Sequence, residues 1–193
     1  MIDLRSDTLT RPTDAMRRAM AAAEVGDDVY GEDPTVNRLQ ELAADRFGRE
    51  AGLYVPSGVM ANLLWTRVLA PPATEVLIER WGHAVGFEDG AGAANAGVQY
   101  QTIDGDRGRL DADRVRAHLR PEGFPHVRTS MVAAEETTNM GGGAVHGVDR
   151  LRGLRALVDE RGAALHLDGA RIWNAIVATG ADPRDYGAVA TAP

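Results

Sequence analysis

The sequence predicts an α/β fold, with a mostly parallel sheet covered by helices on both faces. Two observations lead to this prediction. Short apolar runs with the length of buried strands alternate with longer segments whose apolar residues recur at helical spacing. Glycine or proline lies between many of them. Strands separated by helices need crossover connections, which make neighbouring strands parallel. With 193 residues, 44% of them hydrophobic, the chain can bury one core, and we expect a single domain over residues 1–193.

The first elements are predicted from their start and stop signals. Asp33 followed by Pro34 is typical of a helix N-cap and first turn, and Gly48 ends the helical spacing. The apolar run 53–55 is predicted to be a strand. The turn Pro-Ser-Gly and a helix over residues 60–69 follow it.

The remaining elements alternate along the chain. Strands are expected over residues 76–78, 99–103, 130–134 and 163–167. Helices are expected over residues 111–119, 148–160 and 170–178.

Composition excludes several classes of function. The net charge of −7 comes with scattered basic residues, so no nucleic-acid partner is expected. No apolar run approaches the roughly 20 residues that span a bilayer, so we expect a cytoplasmic protein without a membrane partner. The absence of cysteine removes thiolate chemistry, and no histidine or carboxylate spacing is typical of a metal site. All 21 basic residues counted as lysine or arginine are arginine.

Polar side chains follow several predicted strands. Ser57 with Gly58, His83, Glu135 and Asp168 each come just after one. In a parallel sheet, ligands bind beyond the carboxyl ends of the strands. We therefore expect these residues to converge on one edge of the sheet.

The hexapeptide His-Leu-Asp-Gly-Ala-Arg at residues 166–171 indicates a pyridoxal-phosphate (PLP) enzyme. A carboxylate at Asp168 that ends a buried strand is costly to desolvate unless it meets a cation, such as a protonated pyridine nitrogen. Capping of the following helix by Asp168 explains the same residue equally well. Arg171 has the planar fork that suits a carboxylate or phenolate oxygen, but an ion pair with Asp168 or exposure to solvent remains open.

A phosphate site and an imidazole are the other candidates. The residues Ser57, Gly58 and Val59 open a helix whose free amides can bind phosphate, although a plain strand-to-helix turn fits as well. The ring of His83 could stack on an aromatic cofactor and handle protons. Among the other histidines, His166 is predicted to be a packed strand residue, and His126 is ambiguous.

Specific motifs resemble those of L-threonine aldolases in the beta-eliminating lyase family. The most specific are DLRSDTLTRPT at residues 3–13 and VGDDVYGEDPT at residues 25–35. The resemblance covers essentially every residue, with further matches at residues 55–62, 83, 87–88, 135–139 and 166–174. It implies the fold-type-I architecture of PLP enzymes: a three-layer αβα large domain, a following small domain, and homodimers or homotetramers with active sites at subunit contacts.

The resemblance also implies roles for the cofactor and its contacts. Asp168 would pair with the pyridine nitrogen of PLP and His83 would stack on its ring, while Ser57, Gly58 and Val59 would line the phosphate site. Relatives usually have threonine at the position of Val59, so this chain would rely on backbone amides there.

Substrate contacts are implied in the same way. Ser6 and Arg171 would bind the substrate carboxylate, and Arg171 could also reach the ring hydroxyl. Tyr30 would lie close by, as would Glu88. His126 is the candidate for contact with the substrate hydroxyl, although its spacing from the next strand is about one residue short. Glu136 replaces a common asparagine, and its role is left open.

In relatives, a strand with Ser-Lys-Gly follows shortly after the segment that matches residues 188–193, and its lysine forms the Schiff base. We therefore expect a chain truncated before that lysine, an incomplete large domain without the small domain, and little or no turnover by the 193 residues alone.

The implied reaction is cleavage of the Cα–Cβ bond of threonine and other β-hydroxy amino acids, giving glycine and an aldehyde. His83, or a water held by His83 and His126, is the candidate base, and electrons flow toward the ring held by Asp168. Two alternatives remain open: racemase, transaminase or β-eliminase chemistry on the same scaffold, and a non-catalytic binding domain.

Overall fold

The computed structural model describes residues 2–121 and 123–191, which form two compact units. The first unit contains the residues up to Ala44 together with Ala51–Tyr54. The second contains Asp45–Glu50 and the residues from Val55 onward. The expected single domain stays a prediction.

The first unit contains helix α1 (Asp14–Ala22) and most of helix α2 (Pro34–Phe47). Asp33 caps α2 as the sequence predicts, because its Oδ1 accepts hydrogen bonds of 2.9 Å from the backbone N–H groups of Thr35 and Val36. Its Oδ2 accepts the N–H of Gly26 at 3.1 Å. These backbone donors hold the pKa of Asp33 below its ordinary value.

The second unit is built on a four-stranded sheet. Its strands are β1 (Glu75–Glu79), β2 (Gln99–Ile103), β3 (Thr129–Glu135) and β4 (Ala164–Asp168). Its helices are α3 (Gly58–Leu69), α4 (His83–Gly86), α5 (Ala112–His118), α6 (Val148–Glu160), α7 (Ile172–Thr179) and α8 (Pro183–Val189). All neighbouring strands pair in parallel, in the order β2-β1-β3-β4.

Apolar layers cover both faces of this sheet, because successive strand residues point to opposite sides. Leu77, Val132 and Leu165 pack in one cluster with residues of α5, α6, α7 and α8. Val76 and Met131 belong to the other cluster, against which residues of α3 and α4 pack. The expected three-layer αβα arrangement is therefore confirmed.

The strand order creates a crevice between β1 and β3. From β1 the chain proceeds to β2 on one side, then returns to β3 on the other side of β1. Such a reversal separates the loops at the carboxyl ends of the two central strands, and it is where ligands bind in open α/β sheets. Glu79, Glu135 and Asp168 are the last residues of β1, β3 and β4.

Three differences from the sequence predictions have local causes. The predicted strand over residues 53–55 was wrong: the segment lies outside the sheet, Leu53 is 76% exposed, and the Tyr54 N–H donates to the side chain of Gln40. Helix α7 begins at Ile172 rather than at residue 170, because a turn bonds the Ile172 N–H to the carbonyl of Gly169. Helices α1, α4 and α8 were not predicted. Among the described residues, no helix has the length and apolar content needed to cross a membrane.

Candidate active site

A pocket opens at the crevice predicted by the strand order, with an empty volume of about 290 Å³ including its mouth. It lies entirely in the second unit. Its polar lining comprises Asn62, Glu79, His83, Glu135, His166 and Asp168. Two of the predicted site residues, His83 and Asp168, are thus brought together.

Asp168 uses its two carboxylate oxygens differently. Oδ1 accepts the N–H of Ala170 at 3.0 Å, which forms the turn before α7. Oδ2 accepts a hydrogen bond of 2.9 Å from Nδ2 of Asn62 on α3. Asp168 thus lines the pocket and bonds the turn that follows β4. The alternative that Asp168 caps the next helix was wrong, because the N-cap position of α7 is Arg171, three residues later.

His83 is positioned at the start of α4 by two carboxylates. Its backbone N–H donates to Oε2 of Glu135 at 3.0 Å, and its Nδ1 lies 2.8 Å from Oε1 of Glu88. The ring stacks on Phe87, with a centroid distance of 5.5 Å. Because 36% of the side chain remains exposed, the imidazole is open to a ligand.

The two carboxylate oxygens of Glu135 bind backbone N–H groups of two different segments at the pocket. Its Oε1 accepts the N–H of Asn139 at 2.7 Å, while Oε2 holds His83. Glu135 is also the direct cross-strand neighbour of Asp168. Burial raises the pKa of Glu135, and the negative charge of Asp168 raises it further, although the two backbone donors oppose this.

Ser57, Gly58 and Val59 form the start of α3. The Oγ of Ser57 caps the helix by accepting the N–H of Met60 at 3.1 Å. No atom would lie within 4 Å of a side chain placed at Gly58, so the space beside this turn is open. Helix α3 has 12 residues and also carries Asn62, one turn further on. Open space beside a helix N-terminus suits an anion such as phosphate.

Arg171 and His126 lie at opposite edges of the sheet. The Arg171 N–H donates to the carbonyl of Glu136 at 3.3 Å, just beyond the carboxyl ends of β3 and β4. His126 is exposed in the turn before β3, where its N–H donates to the carbonyl of Gly123 at 3.0 Å. The length of β3 separates this turn from the pocket by about 20 Å. Within one chain, His126 and the pocket are therefore not brought together.

Ser6 and Tyr30 belong to the first unit. The Oγ of Ser6 accepts the N–H of Thr8 at 3.2 Å and lies 2.7 Å from the Thr8 hydroxyl. Tyr30 ends a short 3₁₀ turn and is 78% exposed. Their contacts with substrate stay predictions.

Three further polar residues of the pocket, Asn62, Glu79 and His166, were missed by sequence reasoning. Asn62 was given no role, and His166 was predicted only as a packed strand residue, which its burial confirms. Nε2 of His166 lies 2.9 Å from Oδ1 of Asn62, and burial lowers the pKa of His166 to about 4. The signal that could have identified Asn62 is its polar amide, which lies among the apolar residues of the first half of α3.

Glu136, whose role the sequence left open, is structural. Its buried carboxylate accepts the backbone N–H groups of His146 and Gly147, each at 3.3 Å. Burial raises the pKa of Glu136. Burial also lowers the pKa of His146 to about 4, and Nε2 of this histidine accepts the N–H of Leu110 at 2.9 Å.

The polar groups of the pocket, together with the start of α3, fit PLP. A half-buried carboxylate at Asp168 suits a ring nitrogen that carries a proton, and the imidazole of His83 suits an aromatic ring. The open helix start at Gly58 suits the phosphate. Within the described part of the chain, no group of three or more histidine or carboxylate side chains could hold a metal ion.

An αβα fold with this pocket at its strand-order reversal defines the class of α/β proteins that bind ligands at the carboxyl ends of a parallel sheet. The chain belongs to the beta-eliminating lyase family, whose sequence profile matches residues 3–191.

Individual relatives agree with this assignment. The chain is 42% identical over 186 residues to the low specificity L-threonine aldolase of Escherichia coli O157:H7, covering 96% of this chain and 55% of the relative. It is 40% identical over 183 residues to the low-specificity L-threonine aldolase 1 of Arabidopsis thaliana, covering 93% and 51%. The fold matches that of Leishmania major threonine aldolase with a TM-score of 0.78 at 24% identity, covering 92% and 52%. The chain thus spans about half the length of the relatives it matches.

Proposed function

We propose that this chain forms the PLP-binding part of a lyase that cleaves L-threonine and related β-hydroxy amino acids into glycine and an aldehyde. The observation that carries the proposal is the grouping of His83 and Asp168 in one pocket at the strand-order reversal. Similarity to low specificity L-threonine aldolases supports the choice of reaction.

Each part of the cofactor would have a matching group, either in the pocket, at the start of α3 or just beyond β4. Asp168 would hold the protonated ring nitrogen, and the backbone amides at Ser57, Gly58 and Val59 would hold the phosphate. The imidazole of His83 would cover the ring, and Arg171 would bind the substrate carboxylate. PLP, when bound, supplies an electron sink for the pair released at Cα.

His83 can also move the proton that the reaction requires. Its Nδ1 lies 2.8 Å from Oε1 of Glu88, and a carboxylate oxygen accepts, so we assign the proton to Nδ1 and leave Nε2 as the nitrogen available to the substrate. Nε2 would take the proton of the substrate β-hydroxyl as the Cα–Cβ bond breaks and the aldehyde forms. The geometry favours His83 over His126, because His126 lies at the other edge of the sheet in this chain.

The 193 residues alone are proposed to have little or no turnover, because they contain no lysine to bond covalently to PLP. Non-covalent binding of PLP by the pocket is still expected. In the full-length protein we propose a homodimer or homotetramer, in line with the family resemblance. Light scattering after size-exclusion chromatography measures that state.

The test is product analysis with a longer protein that contains these 193 residues, PLP and L-threonine. The proposal requires acetaldehyde and glycine in equal amounts, dependent on PLP. Ammonia and 2-oxobutanoate instead would identify a β-eliminase, a 2-oxo acid formed only with an amino acceptor a transaminase, and D-alanine from L-alanine a racemase. If none of these products forms and PLP does not bind, the non-catalytic alternative replaces the proposal.

A further inference from the structure

We infer that Asn62 is the positioning residue of the pocket, whose amide fixes the proton position of His166 and holds two carboxylates in place at the same time. The inference rests on the proposed function for its catalytic consequence, while the arrangement itself is a property of this chain. It follows from three hydrogen bonds made by a single side chain.

The amide of Asn62 touches both carboxylates through one atom. Its Nδ2 lies 2.8 Å from Oε1 of Glu88 and 2.9 Å from Oδ2 of Asp168. An amide nitrogen has two hydrogens, so each carboxylate receives one. The reverse orientation would place the amide oxygen against two carboxylates with no hydrogen between them, and this is unfavourable.

This orientation determines the proton position on His166. With Nδ2 toward the carboxylates, Oδ1 of Asn62 faces Nε2 of His166 at 2.9 Å. An amide oxygen only accepts, so His166 must donate through Nε2–H. Burial keeps the ring neutral, since the pKa of His166 is lowered to about 4, and its remaining nitrogen, Nδ1, then carries no proton.

The same reasoning gives His83 the opposite tautomer. Oε1 of Glu88 accepts from Asn62 and lies 2.8 Å from Nδ1 of His83. Because a carboxylate accepts only, His83 donates through Nδ1–H, and Nε2 remains free to take a proton. One chain of donors therefore runs from His166 through Asn62 to Glu88 and Asp168, and His83 closes it at Glu88.

Because these side chains are buried, water cannot readily replace hydrogen bonds that they lose. Asn62 is 7% exposed, Glu88 5% and His166 8%. A buried polar group that loses its partner keeps the full cost of desolvation. Removal of the amide would therefore leave His166, Glu88 and Asp168 each short of one bond, and the carboxylate of Asp168 would be free to turn away from the cofactor.

The test reads the histidine tautomers directly in the chain without cofactor. Nuclear magnetic resonance of the protein labelled with ¹⁵N at histidine distinguishes protonated from unprotonated ring nitrogens, with signals assigned from His166→Gln and His83→Gln. We expect the proton on Nε2 in His166 and on Nδ1 in His83. A proton on Nδ1 of His166, or on Nε2 alone of His83, would overturn the inference.

Two substitutions of Asn62 separate its acceptor from its donors. Asn62→Leu removes both, so the proton of His166 should be shared between its two nitrogens. Asn62→Asp keeps an acceptor for His166, which should retain Nε2–H. Both should weaken PLP binding about tenfold in equilibrium dialysis, because both remove the donors to Asp168 and Glu88. Asn95→Leu, an exposed asparagine in the turn before β2, is the matched control and should change neither readout.

The two hypotheses fail in different ways. If the tautomers are as expected but PLP does not bind the wild-type chain, the arrangement stands and the proposed function fails. If PLP binds and the tautomers are reversed, the proposed function stands and the role of Asn62 fails. If Asn62→Leu leaves both PLP affinity and the His166 signals unchanged, Asn62 is only a packing residue.

Discussion

The carboxylates at the amino ends and at the carboxyl ends of the strands have different hydrogen-bond partners. At the amino end of β1, fully buried Glu75 accepts hydrogen bonds from Arg120, Gln99 and Thr129 and forms an ion pair of 3.1 Å with Arg120. At the carboxyl ends, no guanidinium is among the groups described above that bond to Glu88, Glu135 and Asp168: these are the amide of Asn62, backbone N–H groups and the imidazole of His83.

The difference separates stability from function. A carboxylate paired with a guanidinium already has its cation, and removal of that cation would leave a buried charge without compensation. Carboxylates held by neutral donors keep their negative charge available to a cationic ligand. The carboxyl-end edge is therefore the one prepared for a cofactor, and substitutions at the two edges should affect different measurements.

The largest effect is expected for Asp168→Asn at the carboxyl-end edge. The substitution removes the charge but keeps an oxygen that can accept the N–H of Ala170. The proposed cleavage of threonine, measured in a longer protein that contains this chain, should fall roughly 10²–10³-fold, because the preorganised charge is lost. The free energy of unfolding in urea should change by less than about 1 kcal/mol. Full turnover with an uncharged residue at this position would contradict the role of Asp168.

His146→Gln tests the pH dependence of the loop that Glu136 holds. The pKa of His146 is about 4 in the folded chain and about 6.5 unfolded, so below pH 6.5 the unfolded chain binds a proton that the folded chain does not. The stabilisation is complete above pH 6.5 and is lost as the pH falls toward 4.

The wild-type chain should therefore lose about 3 kcal/mol more stability than His146→Gln between pH 7 and pH 4. Comparison of the two removes the contributions of His166, Glu135 and Glu136, which both proteins share. His118→Gln on α5, an exposed position, is the matched control. Parallel curves for the wild-type chain and His146→Gln would show that the buried ring does not control stability.

Arg120→Met breaks the ion pair at the amino-end edge. Glu75 would remain buried without its cation, so the free energy of unfolding should fall by about 2 kcal/mol, less than for a pair buried on both sides because Arg120 is partly exposed. PLP affinity should not change. Arg116→Met, which breaks an exposed pair with Glu160, should cost less than about 1 kcal/mol. Weaker PLP binding in Arg120→Met would show that the two edges are not independent.

The smallest effect is expected for Gly58→Ala. The new methyl group meets no atom within 4 Å, so the free energy of unfolding should stay within about 0.5 kcal/mol of wild type. It would occupy the space that the phosphate needs, and PLP should bind about tenfold more weakly, a difference of about 1.4 kcal/mol. Unchanged affinity would place the phosphate elsewhere.

Most of the sheet could be predicted from the sequence. Strands β1 to β4 appear where apolar runs lie between turn residues, and α2 and α6 have the predicted bounds. The strand predicted over residues 53–55 was wrong because an apolar run does not reveal whether a neighbouring strand is available to pair with it. Helix α8 begins with Asp182 and Pro183, the same signal as Asp33 and Pro34, and its glycine-containing sequence obscured it.

The site was only partly predictable for a related reason. His83 and Asp168 could be grouped because both follow strands, and the ends of parallel strands meet at one edge. Asn62 lies within a helix, and sequence spacing does not show which side chains it meets from β4 or from the segment after α4. His126 precedes β3 in the sequence, and the structure accordingly places it at the amino end of that strand, away from the pocket.

Helix α3 has one further consequence. Its first residue, Gly58, borders the open space for an anion, and Asn62, four residues later, reaches Asp168. Four residues of α-helix rise about 6 Å. The helix therefore fixes the distance between the open space at Gly58 and the hydrogen bond that Asn62 makes to Asp168.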